Sequence, residues 1–226
     1  VSGGVWAVIP VKPLRGALRR LTAALEAPVR RELQVAMLTD VLGACAGARG
    51  LAGVLVVTSD PDAAAMARAI AGARVVPDHA PPRGMNAAVA RGLAAVAEGG
   101  AEAALVLTAD LPLARPADIA AILAAGRPGP SALLVPSSDG TGTNAMLLRP
   151  PGALAPRLGP DSYARHAGQA ARRGIAADRL ELPALALDID TPADLATLMR
   201  RGGEGATIAA CARLGMAARL EAGSML

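Results

Sequence analysis

The chain has 226 residues and a formal net charge of +4; hydrophobic residues make up 53% of it, mostly Ala, Val and Leu, and its aromatics are Trp6 and Tyr163 alone. That length suits one α/β domain with a core packed from small aliphatic side chains. The charge does not indicate nucleic acid, because no aromatic platforms interleave with a basic stripe; Cys45 and Cys211 stand too far apart for a CxxC pair or a zinc cluster and read as buried small hydrophobes.

Val5–Val11 is a continuous apolar run closed by Lys12-Pro13, which predicts a strand covered on both faces. The spacing then predicts a helix over 28–46, a strand over 54–58, helices over 63–71 and 85–97, a strand over 104–108, a helix over 116–125 and a strand over 132–135. Strands alternating with helices imply a mainly parallel sheet with right-handed crossovers. Thr143–Arg149 reads as a further strand, 161–173 as a helix, and 179–187 as a strand leading into Asp188-Ile189-Asp190. Thr191 then caps a helix with Pro192 at its first position and Asp194 in its first turn, and Gly202-Gly203 ends it. Pro81-Pro82 and 127–130 read as loops. One domain is expected over 1–201, followed by a C-terminal tail over 202–226 with a weak amphipathic pattern and no recognisable chemistry. Every apolar stretch is broken well short of the roughly 20 residues of a membrane span, and no charged leader precedes the first strand, so a cytoplasmic protein is expected.

In an open parallel sheet, ligands bind beyond the carboxyl ends of the strands. Lys12, Ser59-Asp60, Asp110 and the pair Asp188 and Asp190 all follow apolar runs. In extended backbone Asp188 and Asp190 share one side, and with Asp110 they would repel one another unless a hard cation, magnesium or manganese, joined them. Taken singly, Asp110 reads equally as a turn cap and Asp190 as the residue before a helix cap. Lys12 could neutralise phosphate, with Arg15, Arg19 and Arg20 in the loop behind it, although a lone surface lysine is more often solvated. Gly84-Met85-Asn86 opens a helix, where backbone N–H groups can meet an anion or a base carbonyl; Asn86 reads equally as a simple cap. Asp139-Gly140-Thr141-Gly142-Thr143-Asn144 and Gly159-Pro160-Asp161-Ser162 are loops whose N–H groups could surround an anion, or ordinary turns. His79 and His166 lack metal-ligand spacing; Arg165-His166, one turn into the helix behind Ser162, could approach the anion, but reads more readily as part of a solvated helix face. No GxGxxG follows the first strand, which disfavours a dinucleotide fold.

In their order and spacing, IPVKPL (9–14), GMNAAV (84–89), ADLPL (109–113), DGTGTNAM (139–146), GPDSYARH (159–166) and LDIDTPADL (187–195) resemble the guanylyltransferase family of coenzyme F420 biosynthesis. Its members fold like the molybdenum-cofactor nucleotidyltransferases, so the fold implied is a three-layer α/β sandwich around a mainly parallel sheet, of the Rossmann-like nucleotide-diphospho-sugar-transferase type. The activity implied is transfer of GMP from GTP to the phosphate of a three-carbon acid, with pyrophosphate released. The acid could be 2-phospho-L-lactate, phosphoenolpyruvate or 3-phospho-D-glycerate, and the preference for guanine rests on the resemblance alone. The resemblance also implies Asp110, Asp188 and Asp190 as catalytic ligands of magnesium or manganese, Lys12 on phosphate, Thr143, Gly159 and Ser162 on the phospho-acid, and Gly84 and Asn86 on the nucleotide. It leaves room for a homodimer and for hand-over of product to the next transferase of the pathway. One motif departs from the family: a Lys-Ser pair usually precedes Arg-Leu, whereas Leu18-Arg19 precedes Arg20-Leu21 here, which argues against a direct role for position 18 and leaves Arg19 and Arg20 as candidates for that charge. The rivals are a transferase of the same fold with a molybdenum-cofactor or sugar-phosphate acceptor, and a non-catalytic nucleotide-binding module.

Overall fold

A computed structural model describes residues 3–79, 81 and 83–223, the last three without side-chain detail; Pro82 and the end of the tail lie outside the described residues. Seven strands form one sheet in the order β3-β2-β1-β4-β6-β5-β7. They are β1 (Val5–Val11), β2 (Leu51–Thr58), β3 (Arg74–Pro77), β4 (Ala103–Leu107), β5 (Ser131–Pro136), β6 (Thr143–Arg149) and β7 (Ala176–Arg179). β1 pairs in parallel with β2 and β4, and β2 with β3. β6 runs antiparallel to β4 and β5, and β7 returns parallel to β5. The sheet is therefore mainly parallel, with one reversed strand near its centre.

The helices are α1 (Ala27–Gly47), α2 (Pro61–Arg68), α3 (Met85–Glu98), α4 (Pro116–Ala125), α5 (Ser162–Arg173), the single turn α6 (Pro183–Ala186), α7 (Pro192–Arg201), α8 (Ala206–Arg213) and α9 (Met216–Gly223). Alternate residues of β1 serve opposite faces of the sheet, as strand geometry requires. Ala7, Ile9 and Val11 meet α1, α2 and α4 in one core, while Trp6 and Val8 meet α3 and α5 in another. Helices on both faces make the molecule a three-layer α/β sandwich. Gly92 lets α3 lie close against the sheet: a Cβ there would stand 2.5 Å from Val8 Cγ1 and 2.9 Å from Val57 Cγ2.

A third core lies at one end of the sandwich. Leu33 and Met37 of α1, Leu195 and Leu198 of α7, Cys211 of α8 and Met216 of α9 enclose Leu18, Leu21, Leu113, Leu187 and Ile189, which belong to the loops of the sheet's edge. At about 1.5 to 3 kcal/mol for each buried large aliphatic side chain, this cluster holds those loops firmly. Asp40 of α1 fixes α8 by accepting from the N–H groups of Ala206 (2.6 Å) and Thr207 (2.8 Å). The segment from Ala206 to Met216 thus packs on the body of the protein.

Two expectations need correction. No strand covers 179–187: β7 ends at Arg179, and Pro183 starts the turn α6 instead. β3 was not foreseen, because Val75-Val76 is too short an apolar run to mark a strand. Both cysteines are free and buried, and burial pushes the Cys45 thiol up to about 12. Among the described residues no helix is long and apolar enough to cross a membrane.

Candidate active site

Asp110 follows β4, and its backbone carbonyl accepts the N–H of Ile189 at 3.1 Å. That bond docks the segment 187–190 against the end of β4. Ile189 is fully buried in the third core. Its neighbours Asp188 and Asp190 border the same cleft as Asp110. Asp188 Oδ1 accepts from Asn144 Nδ2 (3.1 Å), and the same amide donates to the carbonyls of Leu185 (2.9 Å) and Ala186 (3.2 Å). Asn144 therefore positions this carboxylate, a role that the sequence did not signal, since Asn144 read only as the last residue of a loop.

Burial, and next the charge of Asp188, pushes Asp110 up to about 6. Its Oδ1 is buried without a hydrogen-bond partner. Burial raises Asp188 as well. Asp190 is more open and forms an ion pair with Arg20 (Nη1 to Oδ2, 2.9 Å); its N–H also donates to Asp194 Oδ2 (3.2 Å), so it flanks the Thr191 cap while facing the cleft. Among the described residues no three His, Cys, Asp or Glu side chains stand at the spacing of a ready-made metal site. The donor chemistry nevertheless fits a hard divalent cation, because an unpartnered buried carboxylate oxygen beside a second carboxylate lacks positive charge.

Opposite the carboxylates, Lys12 emerges exposed at the end of β1. Its loop is shaped by Asp60, whose Oδ2 accepts Leu14 N–H (2.8 Å) and whose Oδ1 caps α2 at Asp62 (2.9 Å) and Ala63 (3.1 Å). Asp60 is thus committed to structure. Leu18 adopts a left-handed φ of 53° and packs into the third core. Leu18, where the resemblance led to an expectation of Lys, is an apolar anchor. Arg20 carries charge into the cleft, whereas Arg19 borders only the cavity under the loop.

Because β6 is reversed, its first residue, Thr143, lies at the same edge as the carboxyl ends of the parallel strands. Ser162 opens α5 nearby, after Gly159 with its φ of 113°. Both hydroxyl residues are almost fully buried and border the cleft. Several of the backbone N–H groups expected to cradle an anion are taken up within the loops themselves. Asp139 Oδ1 takes the Thr141 N–H (2.9 Å), Ser137 Oγ takes that of Gly142 (2.7 Å), and the Ser137 carbonyl takes that of Gly140 (2.9 Å). Ser162 N–H donates to Gly159 O (3.1 Å) and Tyr163 N–H to Thr141 O (3.0 Å). Ser137 Oγ–H donates to Asp139 Oδ1 (2.6 Å), and that bond, followed by the one from Thr141 N–H, holds Asp139 down to about 2. The wall offers hydroxyls.

His166 is fully buried, not on a solvated face. Its Nδ1 lies 3.1 Å from Thr143 Oγ1, and its Nε2 accepts Arg157 N–H at 2.9 Å. Asn86 is neither a cap nor among the residues bordering the cleft; its amide is engaged by the backbone of Leu158. Gly84 precedes α3 with a φ of 111° and borders an adjoining cavity of about 280 Å³ together with Lys12, Ser59, Asp78, His79 and Met85. The main cleft, of about 480 Å³, brings together Lys12, Asp110, Asp188 and Asp190 with Thr143, Gly159 and Ser162. Lys12 and Met85 stand where the two cavities meet.

A family profile described as "Guanylyl transferase CofC like" matches residues 5–226. The phosphoenolpyruvate guanylyltransferase of Rubrobacter xylanophilus is 46% identical over 199 residues, covering 88% of this chain and 95% of its own length. That of Conexibacter woesei is 42% identical over 210 residues, covering 89% and 92%. Among solved structures, a protein of Desulfovibrio desulfuricans G20 assigned to the nucleotide-diphospho-sugar transferases superposes with a TM-score of 0.76 at 17% identity, over 96% of each chain, which shows a shared fold. This chain belongs to the CofC-like guanylyl transferase family and is a nucleotidyltransferase.

Proposed function

We propose that the cleft transfers GMP from GTP to the phosphate of a three-carbon phospho-acid, phosphoenolpyruvate, and releases pyrophosphate. The observation that carries this assignment is the division of one cleft into a carboxylate wall, Asp110, Asp188 and Asp190, and a hydroxyl wall, Thr143 and Ser162, with Lys12 between them and the adjoining cavity. The adjoining cavity at Gly84 and Met85 takes the guanosine, and the hydroxyl wall takes the acid. The names of the relatives at 46% and 42% identity support phosphoenolpyruvate over 2-phospho-L-lactate and 3-phospho-D-glycerate. On this account the product feeds assembly of coenzyme F420 in the cytoplasm.

The acid's phosphate is mostly a dianion at neutral pH, so one of its oxygens can attack the α-phosphorus of GTP without a protein base. A new P–O bond forms, the bond between the α-phosphorus and the α,β-bridging oxygen breaks, and its electron pair leaves with pyrophosphate. His166 is not available as a base: it is buried and engaged on both ring nitrogens. The obstacle is charge, since like charges about 4 Å apart cost on the order of 4 kcal/mol per pair at an effective dielectric of about 20. Lys12 and Arg20 offset part of this from the protein side, and the Thr143 and Ser162 hydroxyls orient the attacking group. A magnesium or manganese ion held by Asp110, Asp188 and Asp190 would supply charge neutralisation for the triphosphate and the departing pyrophosphate.

The test is pyrophosphate release from each of the four nucleoside triphosphates with each of the three acids, with and without a divalent cation. GTP with phosphoenolpyruvate and a cation should be the most active combination. Undiminished release in excess chelator, or release that needs no phospho-acid, would overturn the assignment.

A further inference from the structure

His166 has two fixed partners. A backbone N–H can only donate, so the Arg157 N–H, 2.9 Å from Nε2, makes Nε2 the lone-pair nitrogen of the ring. The ring proton then sits on Nδ1 and is donated to Thr143 Oγ1 at 3.1 Å. A hydroxyl that accepts from behind keeps its own hydrogen for a partner in front, and Thr143 borders the cleft. With the opposite tautomer, Thr143 would donate into the ring and turn its lone pairs toward the cleft, where they would repel an anion. The ring tautomer therefore decides whether Thr143 attracts or repels a negative oxygen.

We infer that His166 is a positioning residue that makes Thr143 an obligate hydrogen-bond donor to the anionic acceptor, an assignment that rests on placing the phospho-acid against Thr143 and Ser162. Ring protonation is opposed at Nε2, where a second N–H would meet that of Arg157 head-on. Burial, then the positive charge of Arg157, lowers the ring to about 4, so the arrangement persists through the neutral range. Of the other groups on α5, Gln169 is occupied with the N–H of Ala155 (2.6 Å) and does not compete for the ring.

Two substitutions separate orientation from scaffolding. His166→Gln keeps an acceptor within reach of Arg157 N–H but has no donor where Nδ1 stood; His166→Asn keeps a donor there. At saturating GTP, His166→Gln should raise KM for phosphoenolpyruvate by roughly tenfold, the loss expected for a hydrogen bond to a charged group. KM for GTP should stay near the wild-type value, and His166→Asn should recover most of the loss. In a Thr143→Val background, His166→Gln should add nothing, because the hydroxyl it orients is gone. Full additivity, or equal losses for GTP and acid, overturns the inference. If Thr143→Val leaves KM unchanged for all three acids, the acid has been placed on the wrong wall and the inference falls with that placement; if Thr143→Val raises KM while His166→Gln does not, the inference alone falls. Nitrogen-15 NMR of the wild-type imidazoles tests it without any variant. The Nδ1–H tautomer of His166 should persist from about pH 8 to pH 5, and an Nε2–H tautomer or a midpoint near the ordinary 6.5 overturns it.

Discussion

Asn86, in the first turn of α3, holds the backbone of Leu158 at both ends: Leu158 N–H donates to Oδ1 at 2.6 Å, and Nδ2 donates to the Leu158 carbonyl at 3.1 Å. Leu158 directly precedes Gly159, so one side chain ties the helix assigned to the nucleotide to the loop assigned to the acid. Asn86→Ala removes two solvent-exposed hydrogen bonds of about 1 kcal/mol each. KM for the acid should rise several-fold, the Leu158 amide should exchange faster with solvent, and the melting temperature should fall by roughly 4 to 8 °C if both bonds contribute fully. Unchanged exchange at Leu158 would show that the clamp does not form in solution.

Asp110 is held in a costly state. Raised from 3.8 to about 6, it binds a proton more readily in the folded chain than in the unfolded one. Between those two pH values stability falls as pH rises, and above about pH 6 the ionised carboxylate costs on the order of 3 kcal/mol. Asp110→Asn should therefore raise the melting temperature of the metal-free protein at pH 7.5 while abolishing turnover. A lower melting temperature, or near-normal turnover, would contradict the role given to this carboxylate.

His166 has the opposite linkage. Lowered from 6.5 to about 4, its neutral ring contributes stability that is fully present above pH 6.5. That stability is lost as pH falls toward 4, in total about 3 kcal/mol, because the unfolded chain takes up a proton that the folded chain refuses. Unfolding free energies measured by denaturant from pH 7 to pH 4.5 should fall less steeply for His166→Gln than for the wild type. Parallel slopes would mean that the ring is protonated in the folded protein.

Much of this architecture is legible in the sequence because its signals are local. The apolar runs that became β1 and β4 end in polar residues that line the cleft, and that of β2 ends in Ser59, which borders the adjoining cavity; Pro192 and Asp194 after Thr191 announce the start of α7, where the expected Thr191 cap forms. Other elements depend on contacts that no local pattern records. β7 reads AADR and gains its place by pairing with β5. α8 buries small residues, Thr207, Ala210 and Cys211, which leave little amphipathic contrast, so its dependence on Asp40 of α1 could not be read. His166 follows Arg165 in a polar helix and looks solvated until Thr143 of β6 and Arg157 of the loop before α5 close over it. The Gly-rich loop after β5 was legible as a turn, but not that Asp139 and Ser137 would take up its N–H groups.

On the proposed mechanism the acid's own phosphate attacks GTP and stays in the product. Phosphoenolpyruvate labelled at phosphorus, incubated with unlabelled GTP, a divalent cation and the protein, tests it most directly. The label should appear in the guanylylated acid, as one of the two phosphorus atoms of its diphosphate, and pyrophosphate should be unlabelled. Label in pyrophosphate, or an unlabelled guanylylated product, would contradict the mechanism.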